Sequence, residues 1–310
     1  MKISVLVNNF NYGSYIKYCI DSVLNQTRHA NEIIVYDDGS TDNSLEILSR
    51  YGSAVKVIAN PNHGNKPSFN QANAINLAFR ASEGDIICLL DSDDAFLPDK
   101  LGEVEEAFSA HAGIVMVQHP FLEIDASSVR TGVVRPKLKD VDAVRYVRRT
   151  HNIFGLFAQT SALSFSRAYL DTVLPIRPDD FEMVWPDVRL TRQTLFHGKF
   201  ITIRRPLAEY RIHGSNDSAK LKDRTYFWNQ VRQQYGFYNQ VAAQHGAPGA
   251  DLDKSINQDF PSNLDRILCF VRSGEPTRDK LRLILMELEY LRRRIFRRTR
   301  QLILGERKGS

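Results

Sequence analysis

Ile86-Ile87-Cys88-Leu89-Leu90-Asp91-Ser92-Asp93-Asp94 is the stretch on which the reading of this 310-residue chain turns. Five apolar residues in a row are short for a helix and suit a strand buried on both faces. Three carboxylates within four residues then stand where that strand leaves its sheet. Burying one without a counter-charge costs several kcal/mol. In open α/β sheets the carboxyl ends of strands are where ligands bind. Asp91 and Asp93 are therefore expected to hold a divalent cation and, through it, the phosphates of a nucleotide. The plainer reading is a helix cap, with Asp93 or Asp94 satisfying free amides ahead of Leu97-Pro98-Asp99-Lys100. One acid suffices for that, and three favour a metal.

Working outward, Ile3-Ser4-Val5-Leu6-Val7 reads as a first buried strand and Tyr15 to Leu24 as a helix, with Ile16, Ile20, Val23 and Leu24 at helical spacing. Glu32 to Tyr36 is a second strand, and Asp37-Asp38-Gly39-Ser40-Thr41-Asp42 turns the chain and caps a helix over Ser44–Arg50. Val55 to Ala59 is a third strand, and a helix from about Ser68 to Ala81 leads to the Ile86 strand. Strand and helix alternating at this pace predict a parallel sheet with right-handed crossovers. A helix over Leu101–Ala110 and a strand over Ile114–Gln118 continue the pattern.

Beyond residue 120 the regularity falls away. Helices are expected over Asp142–Arg149 and Val188–Phe196, and late strands over Phe200–Ile203 and Leu207–Arg211. After Ser218 only helical patterns remain, over Thr225–Gln244, Asn263–Arg272 and Thr277–Leu304. The expected organisation is an α/β domain over 1–218, divided near 120 into a nucleotide-binding half and an acceptor half. A helical C-terminal extension over 219–310 follows.

Composition agrees with a globular chain: 43% hydrophobic and 25% charged. Cys19, Cys88 and Cys269 lie far apart, with no zinc spacing, which suits a reducing compartment. The start is too soon polar for a signal peptide, and no stretch approaches the roughly 20 apolar residues of a membrane span. A cytoplasmic location is expected. The net charge of +5 is uneven, since six of the nine residues from Arg292 to Arg300 are arginine.

Asp37-Asp38 and Asp91-Ser92-Asp93 end strands of the same inferred sheet. If the strands are neighbours, their acids share one crevice, which repulsion forbids unless a cation or donor group is expected there. Phe10, after the first strand, suits stacking on a base, worth ~1–3 kcal/mol, and Asp38 suits a pyrimidine N–H. Asp187, behind Pro186, begins a helix and from position alone reads as a cap. His213, in Tyr210-Arg211-Ile212-His213-Gly214-Ser215-Asn216-Asp217-Ser218, becomes a ligand only if it faces the aspartates.

These motifs, in this order, resemble the GT-A-fold glycosyltransferases of family 2. Ser4 to Tyr12 with Ser22-Val23-Leu24-Asn25-Gln26-Thr27 is similar to the family's opening, Glu32 to Asp42 to its most recognisable signature, and Gly84 to Asp94 to its Asp-x-Asp region. The likeness runs through Thr160-Ser161-Ala162 and Leu174-Pro175-Ile176 to Ser218. It implies an inverting enzyme that uses a nucleotide-diphosphate sugar, with a UDP-sugar favoured. Asn8, Phe10 and Asp38 would hold the base, Asn76 would lie near it, Asp91 would approach the ribose, and Ser92 belongs to the same donor-binding set. Asp93 would ligate Mg²⁺ or Mn²⁺ bridging the diphosphate, and His213 would add a ligand. Asp187 occupies the place of the aspartate in the family's Glu-Asp motif and would be the base, although Pro186 replaces the glutamate. Asp179, Asp180 and Glu182 are the fallback candidates. The acceptor would be a hydroxyl on a glycan, a lipid-linked saccharide or a polysaccharide precursor.

The tail offers a second partner. Leu281, Ile284, Leu285, Leu288, Leu291 and Ile295 fall on one side of a helix with the arginines close behind, as in a helix lying on the inner face of an anionic membrane. The competing reading is a packed helix with a solvated basic end. Other classes fit less well. A haloacid-dehalogenase-type phosphoryl-transfer protein wants Thr or Val where Ala95 stands, and a receiver wants a chain about half as long. A nucleotidyltransferase needs a glycine-rich loop that Asn8–Gly13 lacks. A non-catalytic binder with a basic nucleic-acid-binding tail meets an acidic crevice that repels phosphate without metal, so no nucleic acid is expected.

Overall fold

The computed structural model describes residues 1–62, 64, 66–214, 223–252 and 254–255. Its frame is a seven-stranded sheet in which the interior strand β1 (Ile3–Asn9) has Ile3, Val5, Leu6 and Val7 fully buried. On one side of β1 lies β2 (Glu32–Asp37) and then β3 (Lys56–Ala59), and on the other β4 (Ile86–Asp91), all parallel. Helices α1 (Gly13–Leu24), α2 (Ser44–Ser49) and α3 (Pro67–Arg80) carry the crossovers. Parallel strands covered on both faces require continuous apolar runs, and Ile33 to Tyr36 and Ile86 to Leu90 supply them.

Register brings the strand ends together. Asn8 stands between Tyr36 of β2 and Asp91 of β4, and Asn9 stands beside Asp37. The acids that end β2 and β4 thus lie on one edge, separated by the width of β1, roughly 10 Å.

Beyond β4 the sheet is mixed. Following β5 (Ala95–Phe96) and α4 (Lys100–Ala110), β6 (Ile114–Gln118) joins the far side. It reaches β4 only through β9 (Leu163–Ser166), antiparallel to both. The sequence Leu-Ser-Phe-Ser gave no apolar run to mark β9. Its Ser164 is fully buried and donates to the Cys88 thiol at 3.3 Å, which makes a polar residue tolerable there.

Strands were expected within Phe121–Lys139 and over Leu207–Arg211, but not their pairing into a second sheet, which has the order β5, β11 (Ala208–Arg211), β7 (Phe121–Ile124), β8 (Arg130–Arg135). Pairing of Glu209 with Ala95 returns the late chain to the end of β4. Helices α5 (Ala143–Thr150), α6 (Arg167–Val173) and α7 (Pro186–His197) follow β8, β9 and the 174–185 loop, and β10 (Lys199–Thr202) closes the large sheet beside β6. Helix α8 (Arg224–Gln244) buries Trp228, Val231, Tyr235, Tyr238 and Ala242 in the same apolar cluster as the sheet. The helices expected over Asn263–Arg272 and Thr277–Leu304 lie outside the described residues.

Candidate active site

Strand β4 delivers Asp91 to the mouth of the crevice, partly open to solvent. Its Oδ1 accepts from Gln71 Nε2 at 2.7 Å and from Asn8 Nδ2 at 3.4 Å. Crowding by protein, then the neighbouring charges of Asp93 and Asp187, lift its pKa to about 7 against the pull of the two amides. Asn8 Oδ1 and Ser92 Oγ are buried here with no hydrogen-bond partner. Buried polar atoms rarely go unpaired, and these two, at the ends of neighbouring strands β1 and β4, can serve a ligand or water.

Asp93 lies two residues on, and its Oδ2 is 2.9 Å from His213 Nε2. The imidazole that sequence position left undecided therefore does face the aspartates. Tyr12 and Tyr15 pack against its ring, with centroids 5.5 and 5.4 Å away. Among the described residues no three His, Cys, Asp or Glu gather into a complete cage for a metal. A hard octahedral cation takes one or two protein carboxylates and fills its shell from substrate phosphates and water. Asp93 and His213 offer such an ion one carboxylate and one imidazole, donors compatible with Mn²⁺.

Asp94 does different work, and neither it nor Asp93 caps the following helix, whose N-cap is Asp99. Buried at 1% exposure, Asp94 accepts from Arg211 N at 2.8 Å and from Ser161 Oγ at 2.6 Å. Arg211, fully buried, donates from Nε to the Asp93 carbonyl at 2.7 Å and from Nη1 to Ser128 Oγ at 2.8 Å. Its guanidinium lies 4.4 Å from the Tyr15 ring. The Arg211 chain thus fixes both the Asp93 backbone and the strand end that precedes His213.

At the end of β2, Asp37 accepts from Asn9 Nδ2 at 2.7 Å and Ser40 N at 2.8 Å, the turn expected of it. Asp38 Oδ2 accepts from Asn62 Nδ2 at 2.7 Å. Gly39, at φ +78°, lets the loop carrying Asn62 approach: a Cβ there would stand 2.5 Å from Asn62 N. Phe10 is 45% exposed on the adjoining loop, a bare ring at the rim. Asn76 was expected near the base. Instead its amide donates to the Ile176 carbonyl at 2.7 Å and accepts from Ile176 N at 2.9 Å, tying α3 to the 174–176 loop. It lies five residues, about 7.5 Å of helix rise, from Gln71, the α3 side chain that does reach the crevice.

Asp187 sits in the first turn of α7 behind Trp185 and Pro186 and accepts from Val188 N at 2.8 Å. Its charge adds to the rise in the pKa of Asp91 at the end of β4. Burial raises its pKa to about 6, partly opposed by that hydrogen bond and by the charge of Arg192. Of the fallback acids, Asp179 is held bidentately by Arg189 at 2.6 and 2.7 Å. Glu182 pairs with Lys66 at 3.4 Å, and Asp180 is exposed.

Gln71, Asn62, Ser161, Asp94 and Arg211 were not foreseen as parts of the site. For Gln71 the signal was available: it is a polar residue in the second turn of a helix that must begin near the strand ends. Arg211 gave none, since its hydrogen-bond partners, two main-chain carbonyls and the Ser128 hydroxyl among them, lie more than 80 residues away.

Residues 4–155 match the model of glycosyl transferase family 2. A glycosyltransferase of Nostoc sp. is 36% identical over 224 residues, 70% of this chain and 66% of that one. The chondroitin synthase of Pasteurella multocida is 39% identical over 100 residues, 31% of this chain but 10% of the synthase. Among solved structures, S. aureus TarS 1–349 in complex with UDP-GlcNAc superposes with a TM-score of 0.58 at 15% identity, covering 94% of this chain and 92% of TarS. The mannosyltransferase PcManGT from Pyrobaculum calidifontis, in complex with GDP-Man and Mn²⁺, gives 0.55 at 14% identity, covering 94% and 74%. At such identities the structural likeness establishes the GT-A fold alone.

Proposed function

Because the chain belongs to glycosyl transferase family 2, we propose that it moves a sugar, with inversion, from a nucleotide-diphosphate donor to an acceptor hydroxyl on a glycan, a lipid-linked saccharide or a polysaccharide precursor. The observation that carries this reading is the convergence of three strand ends. Asn8, Asp38 and Asp91 share one edge, with Asp93 and His213 2.9 Å apart beside them.

Asn8, Phe10, Asp38, Asp91 and Ser92 bind the donor, joined by Gln71. A UDP-sugar is favoured by the Asn62 amide on Asp38 Oδ2. Guanine presents two adjacent N–H donors that call for both carboxylate oxygens, whereas uracil presents one N–H between carbonyls. The UDP-GlcNAc bound by S. aureus TarS accords with this, and the GDP-Man of PcManGT shows the alternative that a donor panel must include. Asp93 and His213 would hold a divalent cation such as Mn²⁺ or Mg²⁺, which would supply positive charge against a leaving diphosphate.

Asp187 takes the proton of the acceptor hydroxyl. With its pKa near 6 it is ionised at neutral pH yet basic enough to accept a proton. The test is hydrolysis and transfer over a panel of nucleotide sugars, with Mn²⁺ and with chelator, for the parent chain and for Asp187→Asn. Undiminished transfer by Asp187→Asn displaces Asp187 as base. Absence of nucleotide-sugar binding by the parent removes the proposal.

A further inference from the structure

Lys100 takes no part in the donor and acceptor contacts above, yet its side chain is fully buried. It opens α4, in the first turn, where the helix dipole opposes a cation. Among the described residues no carboxylate stands within ion-pair distance of it. Its ammonium nitrogen lies 3.6 Å from the centroid of the Phe96 ring and donates to the Ser161 carbonyl at 2.6 Å. Lysine is almost never buried without a partner charge, because its ammonium gives up its hydration. Burial pushes its pKa down to about 7, against the pull of Cys88 and Asp94. A methionine would fill the same space at less cost to the fold.

The residue that Lys100 holds has two grips on the acidic edge. Ser161 is 2% exposed, in the single turn Thr160–Ala162 that leads into β9, the antiparallel neighbour of β4. Its hydroxyl accepts from Asp91 N at 3.1 Å and donates to Asp94 Oδ2 at 2.6 Å. A hydroxyl that accepts from one group and donates to another has both directions committed, so where it stands sets where they stand. Asp94 N closes the turn by donating to the Asp91 carbonyl at 3.0 Å. Ser92 and Asp93 lie between these two fixed points. The turn of Ser161 is in its own right lightly tied, by Ala162 N on the Gln159 carbonyl at 2.9 Å, and the ammonium of Lys100 adds a hold from the side of α4.

From this chain of contacts we infer that Lys100 is a positioning residue for nucleotide binding: through Ser161 it fixes the segment from Asp91 to Asp94 in the arrangement that receives the donor. The inference rests on the donor reading given above and adds to it a residue that meets no substrate, since the amine is closed off from solvent. A lysine that merely fastened α4 to the turn of Ser161 would support the fold and leave nucleotide affinity alone. A lysine that acted by charge alone on the acids would work equally well without the Ser161 hydroxyl.

The test is calorimetric binding of UDP and of GDP to the full chain in the presence of Mn²⁺, with melting recorded on the same samples. The parent, Lys100→Met, Ser161→Ala and the double variant are compared. Lys100→Met should bind the preferred nucleotide roughly 10–100-fold more weakly, the loss typical when the group behind a binding residue is removed. Ser161→Ala should weaken binding by a similar factor. Adding Lys100→Met to Ser161→Ala should bring no further loss, because the hydroxyl carries the effect. Parent affinity in Lys100→Met overturns the inference, whatever its melting temperature. So does an equal loss from Lys100→Met in the Ser161→Ala background. If Lys100→Met does not fold, Ser161→Ala carries the test: parent affinity overturns the inference, and a loss at unchanged melting supports it. Failure of the parent to bind either nucleotide removes the donor reading and the inference with it, whereas binding that both substitutions leave intact removes the inference alone.

Discussion

Asp187 must be ionised to accept a proton, and burial sets its pKa at about 6. Transfer is therefore expected to rise about tenfold per pH unit below 6 and to level off above it. Asp187→Asn should lower kcat by ~10²–10⁴-fold while leaving donor affinity nearly unchanged. The same raised pKa has a consequence for folding. A carboxyl whose folded pKa exceeds its ordinary 3.8 makes a destabilising contribution that is absent below pH 4 and complete above pH 6. Asp187→Asn should thus melt higher than the parent at neutral pH, with the difference closing as pH falls through that window. A melting difference independent of pH would show that the carboxyl is not strained by burial. At the other end of the crevice, Asn62→Ala uncovers Asp38 Oδ2 and should narrow the preference for UDP over GDP in competition binding; an unchanged ratio removes Asn62 from base selection.

Elements contribute by where they end and what ties them down. Strand β11 matters because Arg211 carries its hold on Asp93 and Asp94 across to the loop at Ser128. Arg211→Met keeps the main-chain amide that reaches Asp94 but strips the buried Asp93 carbonyl and Ser128 Oγ of their donor, and should cost about 1–3 kcal/mol in chemical denaturation. Helix α3 is fastened twice, by Asn76 on Ile176 and by Ser68 Oγ on the Glu182 carbonyl at 2.5 Å. Asn76→Ala should cost about 1–3 kcal/mol through the unsatisfied Ile176 amide and leave the Kd for UDP within twofold. A large loss of UDP affinity at unchanged stability would return Asn76 to the donor site. Elements with a strong period were legible: α3 and α8 lie within a residue of the expected bounds. Strand β9 was not, because its buried Leu163 and Phe165 are separated by Ser164, whose burial depends on a thiol partner in β4.

For the molecule as a whole, α8 belongs to the core of the sheet domain, although the sequence pattern changes at Ser218. Trp228 is 4% exposed within that cluster, and Trp228→Ala should cost ~3–5 kcal/mol in a single unfolding transition. A separate early transition would show α8 to be an independent unit. The sequence by itself determined the alternation of strands and helices and the acids at the strand ends, because a strand buried on both faces leaves an apolar run that ends in polar residues. It determined the family on the same residues. Tertiary structure alone decided that His213 meets Asp93, that Asp94 is a fastener held by Arg211 N and Ser161 Oγ, and that Gln71 reaches Asp91 while Asn76 is tied to Ile176. Those outcomes depend on a second sheet folding back over 100 residues of chain, and on which carboxylate a main-chain amide reaches first. No local period in the sequence encodes either.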